Sequence, residues 1–503
     1  MNKVLIITIP KQDTARPPGA LAILAACCEQ ADSDYEIFDI NLYIHKNLPF
    51  ETVNKLNTDF EIHKFRDDTL AQTYREVCSL VVKNAIANNF THIAVSVFTY
   101  ASILAAYELL VEFKKQNYQG QIIIGGVGVS NSVSTITGKE DFGTFALNRQ
   151  LISHVIYGEG DITFTELLKG NYSYPGINKN NSVQILDLDQ LPKPSYEKIN
   201  PREYFYSDEP EVLLTGSRGC VRSCTFCNVA EFWNKYVYKS GTRIAQELFG
   251  IWQKTGINKF DFSDSLINGS MSSFKEFNKE LIRLRKENPG FTPKYKGQFI
   301  CRPSKHITEQ DYADMSIAGA ETLVVGIESF SEKVRDHMRK KFDNDSIDWH
   351  FAMSAKYGIK NVLLLLSGYV TETLEDHNIT IEYLKRFQVY ALSRTIYAIN
   401  IEVGGLALGP GTPLTDEDMG INIVQYVDGD FDEYNFSNWI NSDNLSLTPN
   451  ERLRRSLEII KTAYQFGYKV LHLYHKIDQA ERYFDNIKNV KKLVKINTIE
   501  LIK

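Results

Sequence analysis

The chain has 503 residues and a net charge of −6, and 43% of its residues are hydrophobic against 23% charged. That composition is globular rather than disordered, and the charge balance excludes a broad basic field for nucleic acid. No apolar run approaches the roughly 20 residues a membrane helix needs. The N-terminal run Val4–Ile9 is too short and too β-branched for a signal peptide. A cytoplasmic chain with neither a membrane nor a nucleic-acid partner is therefore expected, and its length calls for two or three domains.

From residue 1 to about 170 the sequence alternates strands and helices. Strands are expected at Val4–Ile9, Tyr35–Ile40, His92–Val97, Gln121–Gly125 and His154–Tyr157. Helices are expected at Gly19–Gln30 and Ala101–Gln116, with a polar, mainly helical insertion at 51–88. Such alternation predicts a doubly wound parallel sheet, which binds ligands at the carboxyl ends of its strands. The loops there carry Pro17-Pro18-Gly19, Ser96-Val97-Phe98, Gly125-Gly126-Val127-Gly128 and Gly158-Glu159-Gly160. The third is not a G-x-G-x-x-G fingerprint and follows the wrong strand for one. Cys27, Cys28 and Cys78 fall in helices and read as packing residues.

Residues 171–205 are rich in Asn, Asp and Pro and read as an extended linker. A second run of β/α units follows over 206–424, with strands at Val212–Thr215, Lys259–Ser263, Tyr295–Ile300, Thr322–Ile327, Val362–Leu366 and Ala398–Val403. Residues 425–503 read as a mainly helical cap, with helices at Pro449–Phe466 and Lys476–Leu493, an acidic loop Asp428–Tyr434, and a solvated lysine-rich end.

The most specific signal is Gly219-Cys220-Val221-Arg222-Ser223-Cys224-Thr225-Phe226-Cys227, just after the first strand of the second run. The spacing is C-x3-C-x2-C. Three thiolates on one loop can hold three irons of a 4Fe–4S cube and leave the fourth iron open. A structural zinc site wants four ligands; Cys301 is the one further Cys in this run of units, and it falls in another strand. A disulfide framework suits a secreted chain, and nothing here reads as secreted.

This motif resembles that of the radical S-adenosylmethionine (SAM) superfamily. The resemblance implies a partial (β/α)6 barrel in which the open iron chelates SAM, and one electron cleaves it to a 5′-deoxyadenosyl radical. Gly326-Ile327-Glu328-Ser329 and Pro410-Gly411-Thr412-Pro413-Leu414 resemble strand-end motifs of the cobalamin-type branch. The strand-end glycines of the first domain look like those of its cobalamin-binding domain, although the D-x-H-x-x-G signature for an axial His is absent. Candidate SAM contacts are then Phe226 for the adenine, Glu328 for the ribose or ammonium, Arg302 for a carboxylate, and Asp264, Ser265, Ser367 and Gly368 at other strand ends. Candidate cobalamin contacts are Pro18, Ser96, Phe98, Gly125, Gly126, Gly158 and Glu159.

The activity so implied is cobalamin-dependent methylation of an unactivated carbon or phosphorus in a small molecule, fed by a donor such as flavodoxin or ferredoxin. Two alternatives stay open. One is a non-methylating radical rearrangement or cyclisation, with or without cobalamin. The other is a non-catalytic iron–sulfur redox or sensor protein.

Overall fold

The computed structural model describes residues 2–204, 209–406, 408, 412–416, 423–425 and 439–472. The expected Lys476–Leu493 helix, the Asp428–Tyr434 loop, the lysine-rich end and Pro410-Gly411 lie outside the described residues. Among the described residues no helix is long and apolar enough to cross a membrane. The chain forms two compact units, residues 1–215 with 237–261, and residues 216–236 with 262–503.

The first unit is built on five parallel strands: β1 (Lys3–Thr8), β2 (Asp34–Asp39), β3 (His92–Ser96), β4 (Gln121–Gly125) and β5 (His154–Ile156), in the order β2-β1-β3-β4-β5. All four pairings are parallel and in register, Val4 opposite Tyr35 on one side and His92 on the other. The chain steps from β1 outward to β2 and then back across to β3, so the order switches between β1 and β3. The strands give the core aliphatic side chains: Leu5, Ile7, Ile93, Val95, Ile122 and Ile124 are all buried.

Helix Gly19–Gln30 opens on Pro18, whose φ of −56° is preset for a helix start, and is rich in Ala and Leu. Asp39 and Asp67 cap the helices at Ile40–Asn47 and Asp68–Ala87 by accepting from backbone N–H groups. The 51–88 segment is not a polar insertion. Its Leu56, Phe60, Tyr74, Val77 and Val81 belong to the core, because Asp68–Ala87 turns an apolar stripe toward the helix Ile103–Lys115. Cys27, Cys28 and Cys78 are buried, as packing residues should be. The 171–205 segment is strapped to the first unit by the Tyr204 hydroxyl on Asp39 (2.8 Å), Lys198 on the Tyr35 carbonyl (2.6 Å) and the Tyr196 hydroxyl on the Leu213 carbonyl (3.1 Å).

All six strands expected in the second run form, at Glu211–Leu214, Lys259–Phe262, Lys294–Phe299, Ala320–Glu328, Lys360–Leu365 and Ile396–Ile401. The first two lie where the chain passes between the units. Strands wholly within the second unit run Lys469–Val470, Ile396–Ile401, Lys360–Leu365, Ala320–Glu328, Lys294–Phe299, each paired in parallel. The intervening helices are capped by side chains. Thr308 and Thr373 form complete capping boxes with Asp311 and Asp376, which fixes where the helices Glu309–Ala318 and Leu374–Arg386 begin.

Candidate functional site

Gly219 holds a φ of +76°, and a Cβ there would stand 2.6 Å from the Lys235 carbonyl oxygen, so only glycine delivers the chain into the cysteine loop this way. Cys220, Cys224 and Cys227 are half-buried free thiols, whereas Cys301 is fully buried. The loop is pinned through its fully buried member. The Thr225 N–H donates to the Met338 carbonyl (3.2 Å), its carbonyl accepts from the Leu414 N–H (2.9 Å), and its Oγ1 meets the Tyr369 hydroxyl (2.7 Å). Tyr369 is held in turn by His337 Nδ1 at 2.8 Å.

Burial raises the Cys224 thiol to about 11 and lifts that of Cys220, while the nearby Lys340 ammonium pulls both back. Burial alone pushes Cys301 to about 12, although Arg335 and Lys340 oppose it, and this leaves it a packing thiol. No three ligating side chains among the described residues converge tightly enough to hold a single metal ion. A cube attaches each thiolate to a different iron, so its ligands stand further apart than the roughly 2.3 Å radius of a zinc site allows. Three thiols on one loop supply the donor type and number that such a cube takes with one iron left open.

Glu328 ends its strand in a left-handed conformation (φ +62°), beyond an irregularity between Gly326 and Glu328. Its Oε1 accepts from Lys340 Nζ at 2.9 Å, and both side chains are nearly buried. Lys340 lies 5.8 Å from the Phe226 ring centroid. Burial would lower the Lys340 pKa, but Glu328 and Cys224 outweigh it and raise the value. Phe226 is half-buried against a cluster that includes Val334, Met338, Tyr369 and Leu414.

Arg302 donates from one terminal nitrogen to the carbonyls of Asn268 (2.7 Å) and Gly269 (2.9 Å), and its Nε is buried without an acceptor among the described residues. Burial and then the charge of Arg222 lower its pKa. Arg222, inside the cysteine loop, also has a buried Nε without an acceptor, and its backbone N–H points at Cys220 Sγ (3.4 Å).

Of the other candidates, Asp264 and Gly368 make contacts within the protein frame. Asp264 is buried and spends both oxygens at the loop entrance, accepting from the Gly216 N–H (2.8 Å) and the Ser217 hydroxyl (2.6 Å). Gly368 gives its N–H to Glu372 (3.0 Å), and a Cβ there would strike Arg452. Ser367 is fully buried with an orphaned Oγ, and Ser265 is half-buried.

In the first unit a cavity of about 180 Å³ opens at the carboxyl ends of β3, β4 and β5, lined by Ser96, Gly125, Gly126 and Gly158 together with apolar residues such as Ile23 and Phe164. A Cβ on Gly126 (φ +107°) would lie 2.5 Å from the Val97 carbonyl oxygen, and one on Gly158 (φ +74°) 2.2 Å from Ser182 Oγ. These glycines let the backbone line the cavity. Pro18, Phe98 and Glu159 do not line it. Pro18 starts the first helix, Phe98 is 55% exposed, and Glu159 accepts from the Ile185 N–H at 2.5 Å. Arg16, in the loop after β1, is locked to Glu211 and Asp261, each at 2.8 Å.

Sequence reasoning missed Lys340, Arg222, and the Thr225–Tyr369–His337 chain. Their one local signal is position: Arg222 lies between Cys220 and Cys224, and Lys340 twelve residues beyond Glu328 in a basic run.

Residues 214–384 match the family described as the Radical SAM superfamily. An uncharacterized methyltransferase of Pyrococcus horikoshii is 24% identical over 411 residues, 77% of this chain and 78% of the relative. The cytidylyl-2-hydroxyethylphosphonate methyltransferase of Streptomyces wedmorensis is 28% identical over 167 residues, covering 31% of this chain and 29% of the relative. Among solved structures, the radical SAM methyltransferase TsrM from Kitasatospora setae, with cobalamin and a [4Fe-4S] cluster bound, aligns with a TM-score of 0.60 at 15% identity, over 85% of this chain and 78% of that one. The cobalamin-dependent radical enzyme OxsB, with aqua-cobalamin and S-adenosylmethionine bound, aligns with a TM-score of 0.64 at 14% identity, over 98% of this chain and 70% of that one. These alignments show the fold: a doubly wound domain followed by a partial barrel.

Proposed function

We propose that this chain, an enzyme whose residues 214–384 form a radical SAM domain, is a cobalamin-dependent methyltransferase of a small molecule. The observation that carries the reading is the Cys220–Cys227 loop, where three half-buried thiols stand beside a buried Lys340–Glu328 pair. The methyltransferase name of one relative that matches 77% of the chain and the glycine-lined cavity of the first unit add support. In this reading residues 1–170 bind cobalamin, 171–205 link, 206–424 hold the cluster and SAM, and 425–503 cap.

Cys220, Cys224 and Cys227 would hold the cluster, and Gly125, Gly126, Gly158 and Ser96 would line the cobalamin pocket. When bound, the cluster supplies one electron to SAM and cobalamin carries the methyl group. The chain's own residues bind and orient. Oε1 of Glu328 is taken by Lys340, and Oε2 has no hydrogen-bond partner among the described residues, so it can accept from an ammonium or a ribose hydroxyl. Phe226 offers a ring face for adenine. Arg302 keeps donors for a carboxylate. Asp264 shapes the loop rather than touching a ligand. An electron donor such as flavodoxin or ferredoxin completes the scheme.

The test is anaerobic turnover with SAM and a reductant. The reading expects release of 5′-deoxyadenosine that depends on Cys224 and release of S-adenosylhomocysteine that depends on added cobalamin. The first without the second would favour a non-methylating radical reaction. Neither would defeat the reading.

A further inference from the structure

We infer that Lys340 is the positioning residue of the cysteine-loop site. Its ammonium clamps one oxygen of Glu328 and supplies the positive charge that sets the reduction potential of a cluster on Cys220, Cys224 and Cys227. The inference rests on the cluster reading above and goes beyond it by assigning a residue that no strand-end motif pointed to.

The backbone aims Lys340 inward. It sits between Arg339 and Lys341, which both hold left-handed conformations (φ +59° and +57°). Two consecutive reversals around one residue turn its side chain away from the exposed course of its neighbours. The segment is fixed at both ends, because the Lys340 N–H donates to the Arg335 carbonyl (3.0 Å) and the Met338 carbonyl accepts from the Thr225 N–H (3.2 Å). That second bond ties the Lys340 segment directly to the cysteine loop. Arg335 is itself buried and anchored to the Ser329 carbonyl and Asn344, each at 2.6 Å.

The surroundings are cut to fit the ammonium. Lys340 is 8% exposed. A Cβ on Gly326 would come within 2.7 Å of Glu328 Oε1 and 3.0 Å of Lys340 Nζ, so glycine there leaves the pair its room. Phe226, between two cluster cysteines, presents its ring on another side. The groups that feel the Lys340 charge are Glu328, Cys220, Cys224 and Cys301.

A plain structural ion pair would account for Glu328 and Lys340 alone. It would not account for placing the ammonium against the loop that carries the thiols. Three thiolates and one carboxylate make the site strongly negative, and Lys340, Arg222 and Arg302 are cations on it, with Lys340 the one paired to the carboxylate. The potential of an iron–sulfur cluster follows the net charge around it. Removing the Lys340 charge makes an added electron less welcome and leaves the Glu328 carboxylate without its clamp. Both changes act in the same direction.

The experiment loads wild type, Lys340→Met, Lys340→Arg, Glu328→Gln and Glu328→Gln/Lys340→Met with iron and sulfide. It then reads the midpoint potential by electron paramagnetic resonance during a redox titration, and SAM affinity by equilibrium dialysis. The expected result is a more negative midpoint and SAM binding weakened about tenfold or more in Lys340→Met, with Lys340→Arg near wild type in midpoint. The double variant removes the buried carboxylate that an unpaired Glu328 would become, so it reads the charge effect even where Lys340→Met fails to fold. Its midpoint should lie below that of Glu328→Gln. Unchanged midpoints in Lys340→Met and in the double variant against Glu328→Gln would overturn the role of Lys340 while leaving the cluster reading intact. A wild type that binds no iron would overturn the cluster reading itself.

Discussion

The two cradles of this chain are made of different material. In the first unit, backbone, apolar side chains and the polar Ser96 and Asp161 line the cavity, and glycines at Gly126 and Gly158 bring one carbonyl within 2.5 Å, and a serine hydroxyl within 2.2 Å, of where a side chain would begin. In the second unit the site consists of side chains: three thiols, a buried carboxylate–ammonium pair and two guanidiniums with orphaned Nε atoms. A cradle of backbone fails when atoms are added to it. A cradle of charges and thiols fails when atoms are taken away. The difference also suits the ligands proposed: a large, largely neutral ring system for the first, and a charged cluster with a zwitterionic cosubstrate for the second.

The sharpest way to break this comparison is Cys224→Ala. It removes one of three thiolates and should abolish both iron retention and SAM cleavage, with cobalt retention unchanged; iron analysis and chromatography of the nucleoside product read it. Next comes Gly126→Ala. Its φ of +107° and the Val97 carbonyl at 2.5 Å impose strain of roughly 1–3 kcal/mol, so cobalamin retention should fall about tenfold or more while iron stays at the wild-type level. Equal losses of iron and cobalt in either variant would mean that the two cradles are not separate.

Glu328→Gln is a smaller change. It keeps the shape and removes the charge, so SAM affinity should fall about tenfold and the cluster should remain, as read by equilibrium dialysis beside iron analysis. Unaltered affinity would take Glu328 out of the SAM site.

The smallest effect separates fold from site. His350 is fully buried, with Nδ1 2.8 Å from the Tyr312 hydroxyl and Nε2 2.8 Å from Asn361 Oδ1, and burial lowers its pKa to about 4. The unfolded chain takes up a proton near pH 6.5 that the folded chain refuses until about pH 4. Stability is therefore full above 6.5 and declines as pH falls through that window, by about 1 kcal/mol between pH 7.5 and 5.5. The urea midpoint should drop accordingly, and His350→Gln should flatten the slope without changing iron content. An unaltered slope in that variant would contradict the assignment.

Much of the fold was legible because its signals are local. Gly19–Gln30 and Gln121–Gly125 form at the residues that Pro18, the alanine run and the flanking glycines mark. Strands such as Lys3–Thr8 and Asp34–Asp39 begin one residue before the apolar run does, because pairing with neighbours extends onto a polar residue that hydropathy leaves out. The polarity of 51–88 concealed a core helix, since an apolar stripe on one face leaves the average composition polar. The three thiols of the loop were legible as a group because all of them lie within eight residues. Lys340 was not. Its meaning depends on two left-handed residues and on a carboxylate twelve residues back at a strand end, and neither is written in the basic run Arg339-Lys340-Lys341. Asp264 was marked by its strand-end position, but that position cannot tell a ligand contact from a backbone acceptor.

The measurement that bears most directly on this account is the iron and cobalt content of the chain, purified without oxygen, supplied with iron, sulfide and hydroxocobalamin, and desalted. The account predicts about four iron and about one cobalt per chain, with iron lost in Cys224→Ala and cobalt lost in Gly126→Ala. Iron without cobalt, or cobalt lost together with iron in Cys224→Ala, would contradict the claim that the chain carries two independent cradles for two cofactors.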